Sequence, residues 1–188
     1  MDQSIVSDEL ACTRLTQLLE RYIGRCTPEL FLAYRPDVLP YPQPPSTTPT
    51  YTLAGIIGFV GDLSGTLLIG ANPSVVSACH PFREKQVLTE RMQLDWIGEL
   101  ANQMLGRLKT RLAVHGLEIR FSAPISLAGE RMRHVGAAGS TFRASFVYGA
   151  DSVDVWVDAE IKESVVNSEA FYDDSREGDG DEGAVVFL

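Results

Sequence analysis

Glu99 and Asn102 are the residues whose types and spacing best suit chemistry in this chain. They stand three apart in MQLDWIGELANQMLGRLKTRLAVH, residues 92–115, the strongest helical segment of the sequence. At about 100° per residue, Ile97, Ala101, Met104, Leu105, Leu108 and Leu112 fall in one narrow arc, the stripe expected to face a core. Asp95, Glu99, Asn102, Gly106 and Lys109 fall on the opposite face, so Glu99 and Asn102 sit side by side and point outward. Gly98 lies at the border of that face. A glycine inside a helix costs about 1 kcal/mol relative to alanine, so two of them predict close approach of something to this helix. A side-chain amide accepts from and donates to water without titrating. A carboxylate beside it is suited to engaging a cation. The plainer reading is a solvated surface pair, since a lone E-x-x-N is a weak signal. Asp95 has its own plain reading, an ordinary acid favouring a helix N-terminus.

No other constellation competes. His80, His115 and His134 are scattered and read as surface or loop residues. Cys12, Cys26 and Cys79 are odd in number and lack CxxC spacing, which argues against a disulfide framework or a zinc site. There is no glycine-rich phosphate loop and no Ser/His/Asp order. Gly61-Asp62-Leu63-Ser64-Gly65 lacks a strand-to-helix context and reads as a hairpin turn.

The elements that must position the pair follow from periodicity. Residues 8–24 predict a helix with Ala11, Leu15, Leu18, Leu19, Tyr22 and Ile23 on one face and Gly24 at its end. Six of the ten prolines fall within 36–49, so residues 35–50 read as an extended connector. Residues 51–70 read as a hairpin, and PSVVSACHPF as a short helix entered through Pro73. After the long helix, closed by Gly116, come a strand over 117–129, a polar turn over 130–140, and strands over 140–149 and 151–161. The last two alternate cleanly, with Phe142, Ala144, Phe146 and Tyr148 on one face, then Val153, Val155, Val157 and Ala159. The order predicts an α+β fold: a mostly antiparallel sheet with two long helices packed on one face.

Length and charge bound the rest. A chain of 188 residues is one domain or one domain with tails, here 1–167 and an acidic tail 168–188. The tail holds seven acids against one arginine, −6 of the total −9, so the body is nearly balanced. It reads as a solubilising extension or as a segment competing for a partner's basic rim. Its final AVVFL is apolar. The acidic balance argues against nucleic acid or an anionic membrane as partner. MDQSIVSDEL lacks the basic start and apolar run of a signal peptide, so a reducing cytoplasm is expected.

DWIGELANQMLGRLKTRL resembles the phosphatase helix of the CheX-type proteins in the CheC/CheX family of chemotaxis phosphatases. Asp95, Glu99, Asn102 and Gly106 occupy the positions of that helix's acid, E-x-x-N and glycine. The hairpin GFVGDLSGTLLIG and the segment SAPISLAG resemble the family's flanking elements, so the likeness spans about residues 51–162. It implies that the helix inserts into the active site of a phosphorylated response-regulator receiver domain. Asn102 would orient the attacking water, and Glu99 would pair with the receiver's lysine. Asp95, Gly98, Gly106 and Lys109 would contact the partner. The receiver would supply its own Mg2+, so this chain would bind no cofactor and no metal. A homodimer is implied too. The alternative is a non-catalytic interaction module on the same fold, as in flagellar-switch proteins. Helix 8–24 carries an echo, Glu9-Leu10-Ala11-Cys12 against Glu99-Leu100-Ala101-Asn102. It reads either as a degenerate second site with Cys12 in place of the asparagine, or as coincidence between two amphipathic helices.

Overall fold

In the computed structural model, the described residues are 3–36, 41–43, 50–85, 87–136, 140–148 and 151–166. The acidic tail, and 37–40 and 44–49 of the proline-rich connector, lie outside them. Helix α1 (Gln3–Leu32) leads, then strands β1 (Tyr41–Gln43), β2 (Tyr51–Gly61) and β3 (Leu63–Ala71). Helices α2 (Pro73–Ala78) and α3 (Glu90–Ala113) follow. Strands β4 (Ile119–Phe121), β5 (Ile125–Met132), β6 (Ser140–Tyr148) and β7 (Asp151–Ile161), and the short helix α4 (Glu163–Val166), complete the order. All pairings are antiparallel, in the order β1-β6-β7-β3-β2-β4, with β5 also on the free side of β2. The fold is the expected α+β one.

Both long helices cover one face of the sheet. Leu15, Leu18, Leu19, Tyr22 and Ile23 of α1 are buried against the α3 stripe and the inward residues of the strands, among them Ile57, Leu67, Val155 and Val157. Gly55 lets α3 lie close on β2, because a Cβ there would fall 2.3 Å from the Ile97 carbonyl oxygen. Glu29 of α1 ties the helices together by accepting from Arg111 at 2.9 Å, with Arg107 at 3.8 Å. The opposite face carries a smaller cluster of Tyr51, Ala54 and Leu68, with Ile56, Met132 and Trp156 against it.

Four expectations need correction. First, α1 does not stop at Gly24 but runs to Leu32 with Pro28 inside it. Both residues are stop signals, but Ile23, Cys26, Leu30 and Phe31 are all at most 1% exposed, and this burial carries the helix through. Second, the strand expected over 117–129 is two strands. Between the pairs Phe59↔Phe121 and Ile56↔Ile125, β2 advances three residues and its partner four, a bulge at Ser122–Pro124 where proline lacks a ladder donor. Third, β5 runs to Met132, into the expected turn. Fourth, the connector contributes an edge strand, β1, with Pro42 opposite Phe146. An edge position is where a strand proline is tolerated.

The α1 echo does not extend to burial. Leu100 is 1% exposed in the core of α3, whereas Leu10 is 57% exposed.

Candidate functional site

Helix α3 is capped by Thr89, whose hydroxyl accepts from the Met92 N–H at 3.4 Å. All six residues of the expected stripe are buried, joined by Leu100 and Gly98. The opposite face is partly open. Asp95 and Lys109 are exposed, while Glu99, Asn102 and Gly106 are half-buried along one line between them. They form a strip flanked on two sides. On one side Tyr34, just past the end of α1, lies against α3 through Trp96 and Gln103. On the other is β4–β5, where Phe121 lies under the Lys109 ammonium at 5.7 Å.

Glu99 and Asn102 differ in how they are held. Glu99 Oε1 accepts from Gln103 Nε2 at 2.8 Å, and Gln103 Oε1 accepts from the Tyr34 hydroxyl at 2.7 Å. Among the described residues nothing hydrogen-bonds the Asn102 side chain. It therefore presents two donors and an acceptor to whatever docks on this face. Gly106 has nothing within 4 Å of where a Cβ would stand, so the surface beside Asn102 is recessed and open.

Gly98 is a correction. It was expected among the partner contacts, but it is buried and its close neighbour is internal. A Cβ there would fall 2.6 Å from Ser126 Oγ on β5, with Pro124 at 3.7 Å. Two histidines also depart from expectation. His115 is buried with Nε2 2.5 Å from the Tyr22 hydroxyl, and His80 is buried against Trp96 and Phe82. Burial lowers the His80 pKa from its usual value. His134 lies after β5 and pairs with Asp158 at 3.0 Å.

Sequence reasoning missed Gln103 and Tyr34. Gln103 was legible, since it stands one helical turn from Glu99 on an adjoining face. Tyr34 was not, being 69 residues away and beyond the expected end of α1. Among the described residues no group of three or more His, Cys, Asp or Glu could hold a metal ion. Cys26 and Cys79 are buried, and desolvation pushes both thiols up to about 11. Among the described residues no helix is long and apolar enough to cross a membrane.

Residues 53–142 match the family model "Chemotaxis phosphatase CheX". No curated protein matches by sequence. Among solved structures, the chain is similar to a chemotaxis protein CheX from Desulfovibrio desulfuricans, with TM-score 0.66 and 13% identity over 76% of this chain and 99% of that one. It is also similar to the CheX-CheY-BeF3-Mg+2 complex from Borrelia burgdorferi, with TM-score 0.55 and 16% identity over 83% and 97%. The FliM middle domain from H. pylori is similar at TM-score 0.52 and 10% identity over 83% and 96%. At these identities the structures establish a shared fold.

Proposed function

We propose, for a chain whose residues 53–142 carry the CheX family pattern on a CheX-like fold, that it hydrolyses the phospho-aspartate of a CheY-like receiver domain. The observation that carries this is the open Asn102 amide, which nothing among the described residues hydrogen-bonds, beside an anchored Glu99 on the partly exposed face of α3. The complex of a similar fold with CheY supports a receiver as the partner.

Phosphoryl transfer needs positioning and charge stabilisation more than covalent help. A water oxygen attacks phosphorus, and the bond from phosphorus to the aspartyl oxygen breaks. The receiver recovers its carboxylate, inorganic phosphate leaves, and the water's proton passes to phosphate or solvent. Asn102 suits the placing of that water, because its amide can accept from it and stays uncharged at every working pH. A carboxylate aimed at an anionic phosphoryl group would repel it. Glu99 is better used on a cation, the receiver's lysine, through its second oxygen. Gly106 gives the receiver's backbone room, and Asp95 and Lys109 lie at the two ends of the contact. The receiver carries the magnesium ion, and this chain brings no metal. The reaction takes place in the cytoplasm. A homodimer belongs to the same reading and is checked by the mass in solution.

The second reading is a binding module without catalysis, favoured by the likeness to the FliM middle domain. One experiment separates them. Purified full-length protein is mixed with each phosphorylated receiver domain of the source genome, and acyl-phosphate decay is followed beside binding. Faster decay of one receiver supports the phosphatase. Binding of a receiver with unchanged decay supports the module.

A further inference from the structure

The Glu99 carboxylate sits at the end of a hydrogen-bonded chain that starts on another helix. A carboxylate only accepts, so the amide nitrogen of Gln103 must face it. That leaves Gln103 Oε1, which only accepts, facing Tyr34, whose hydroxyl must donate. The chain from Tyr34 through Gln103 to Glu99 therefore has one direction, with bonds of 2.7 and 2.8 Å. Burial raises the Tyr34 pKa, so the donor proton stays in place at neutral pH.

Tyr34 is itself fixed by two further contacts. Its ring meets Trp96 edge-on, at 4.9 Å and 86°. Its carbonyl oxygen accepts from Arg83 Nη1 at 3.2 Å. Trp96 is packed in turn by His80 at 5.2 Å. The hydroxyl is thus placed jointly by the end of α1, by α3 and by the segment after α2. A glutamate and a glutamine one turn apart on a free helix would sample many rotamers. Here the long, flexible Gln103 is held at both ends, and Glu99 Oε2 accepts nothing from the described residues.

We propose that Tyr34 and Gln103 are positioning residues that hold Glu99 in one orientation, committing Oε1 and leaving Oε2 for the partner's cation. This rests on the phosphatase reading above. It makes the packing of α1 on α3 part of the active site.

The test uses the full chain with Tyr34→Phe and Gln103→Met. Tyr34→Phe keeps the ring on Trp96 and removes only the donor. The first readout is the Gln103 side-chain amide resonance of the free protein. Tyr34→Phe and Glu99→Ala should each move it while the Asn102 amide stays put. The second is saturation kinetics of receiver dephosphorylation. Tyr34→Phe should lower kcat about fivefold and Gln103→Met about tenfold or more, with KM within about twofold. A purely structural tyrosine would let Tyr34→Phe behave as wild type. An unmoved Gln103 resonance, or an unchanged kcat in Tyr34→Phe of an active enzyme, overturns the positioning role alone. A wild-type protein that accelerates no receiver's decay overturns the phosphatase reading and this role with it.

Discussion

Ser126 of β5 stands against Gly98 of α3, so close that a Cβ on residue 98 would fall 2.6 Å from the serine hydroxyl oxygen. Gly106, about two turns along, has nothing within 4 Å. The two glycines of α3 therefore serve different ends. Gly98 seats the helix on the bulged edge of the sheet, and Gly106 leaves space on the outside.

The contrast has a measurable consequence. Gly106→Ala should stabilise the free protein by about 0.5–1 kcal/mol, since helix propensity improves and nothing is hit. The same substitution should weaken receiver binding. Gly55→Ala should destabilise, by about 2 kcal/mol or more, because its Cβ meets the backbone carbonyl of Ile97 at 2.3 Å. Denaturant titrations and receiver binding on the two variants check both signs. A Gly106→Ala protein that binds as wild type would remove Gly106 from the contact surface.

Thiol chemistry should divide cleanly. Cys12 is exposed, whereas Cys26 and Cys79 are buried with thiols pushed up to about 11. The thiolate is the reactive form. A maleimide at neutral pH should thus label one cysteine of the native protein quickly and the other two only as fast as the protein opens. Cys12→Ser should abolish the fast phase. Because Cys12 lies on α1 and not on the α3 face, labelling it should leave receiver dephosphorylation unchanged.

Acid should find His80. Its folded pKa lies below the ordinary value of 6.5 because burial disfavours the cation. The unfolded chain therefore takes up the proton first as the pH falls. The contribution of His80 to stability is complete above pH 6.5 and declines below it. His80→Gln should be the less stable protein at pH 8 and should show a shallower loss as the pH falls below 6.5. Parallel slopes for the two proteins would contradict the assignment.

Periodicity revealed those parts of the fold in which one face is buried and the other wet. The six-residue stripe of α3 is fully buried, and so are Val153, Val155, Val157 and Ala159 of β7. Misses came where distant packing overrides a local signal. Gly24 and Pro28 say stop, yet burial of Leu30 and Phe31 under the sheet keeps α1 going. The same eight extra residues carry Tyr34 to the site, so the shortened helix also hid the anchor of Glu99. The bulge at Ser122–Pro124 was hinted at by proline, but the one-residue change of register appears only when β2 is laid beside it. Within the site, the face bearing Glu99 and Asn102 was legible from the helical wheel. That Gly98 turns inward was not, because a wheel gives the angle of a residue but not which strand comes up to meet it.

The most direct test of the account is single-turnover decay of the phosphorylated receiver at saturating protein, wild type against Asn102→Ala. The variant loses an amide that hydrogen-bonds nothing among the described residues, so it should fold and bind the receiver as wild type. If Asn102 places the attacking water, decay in the bound complex should slow by about 100-fold, back toward the receiver's own rate. Equal decay rates for wild type and variant in the bound complex would contradict the account.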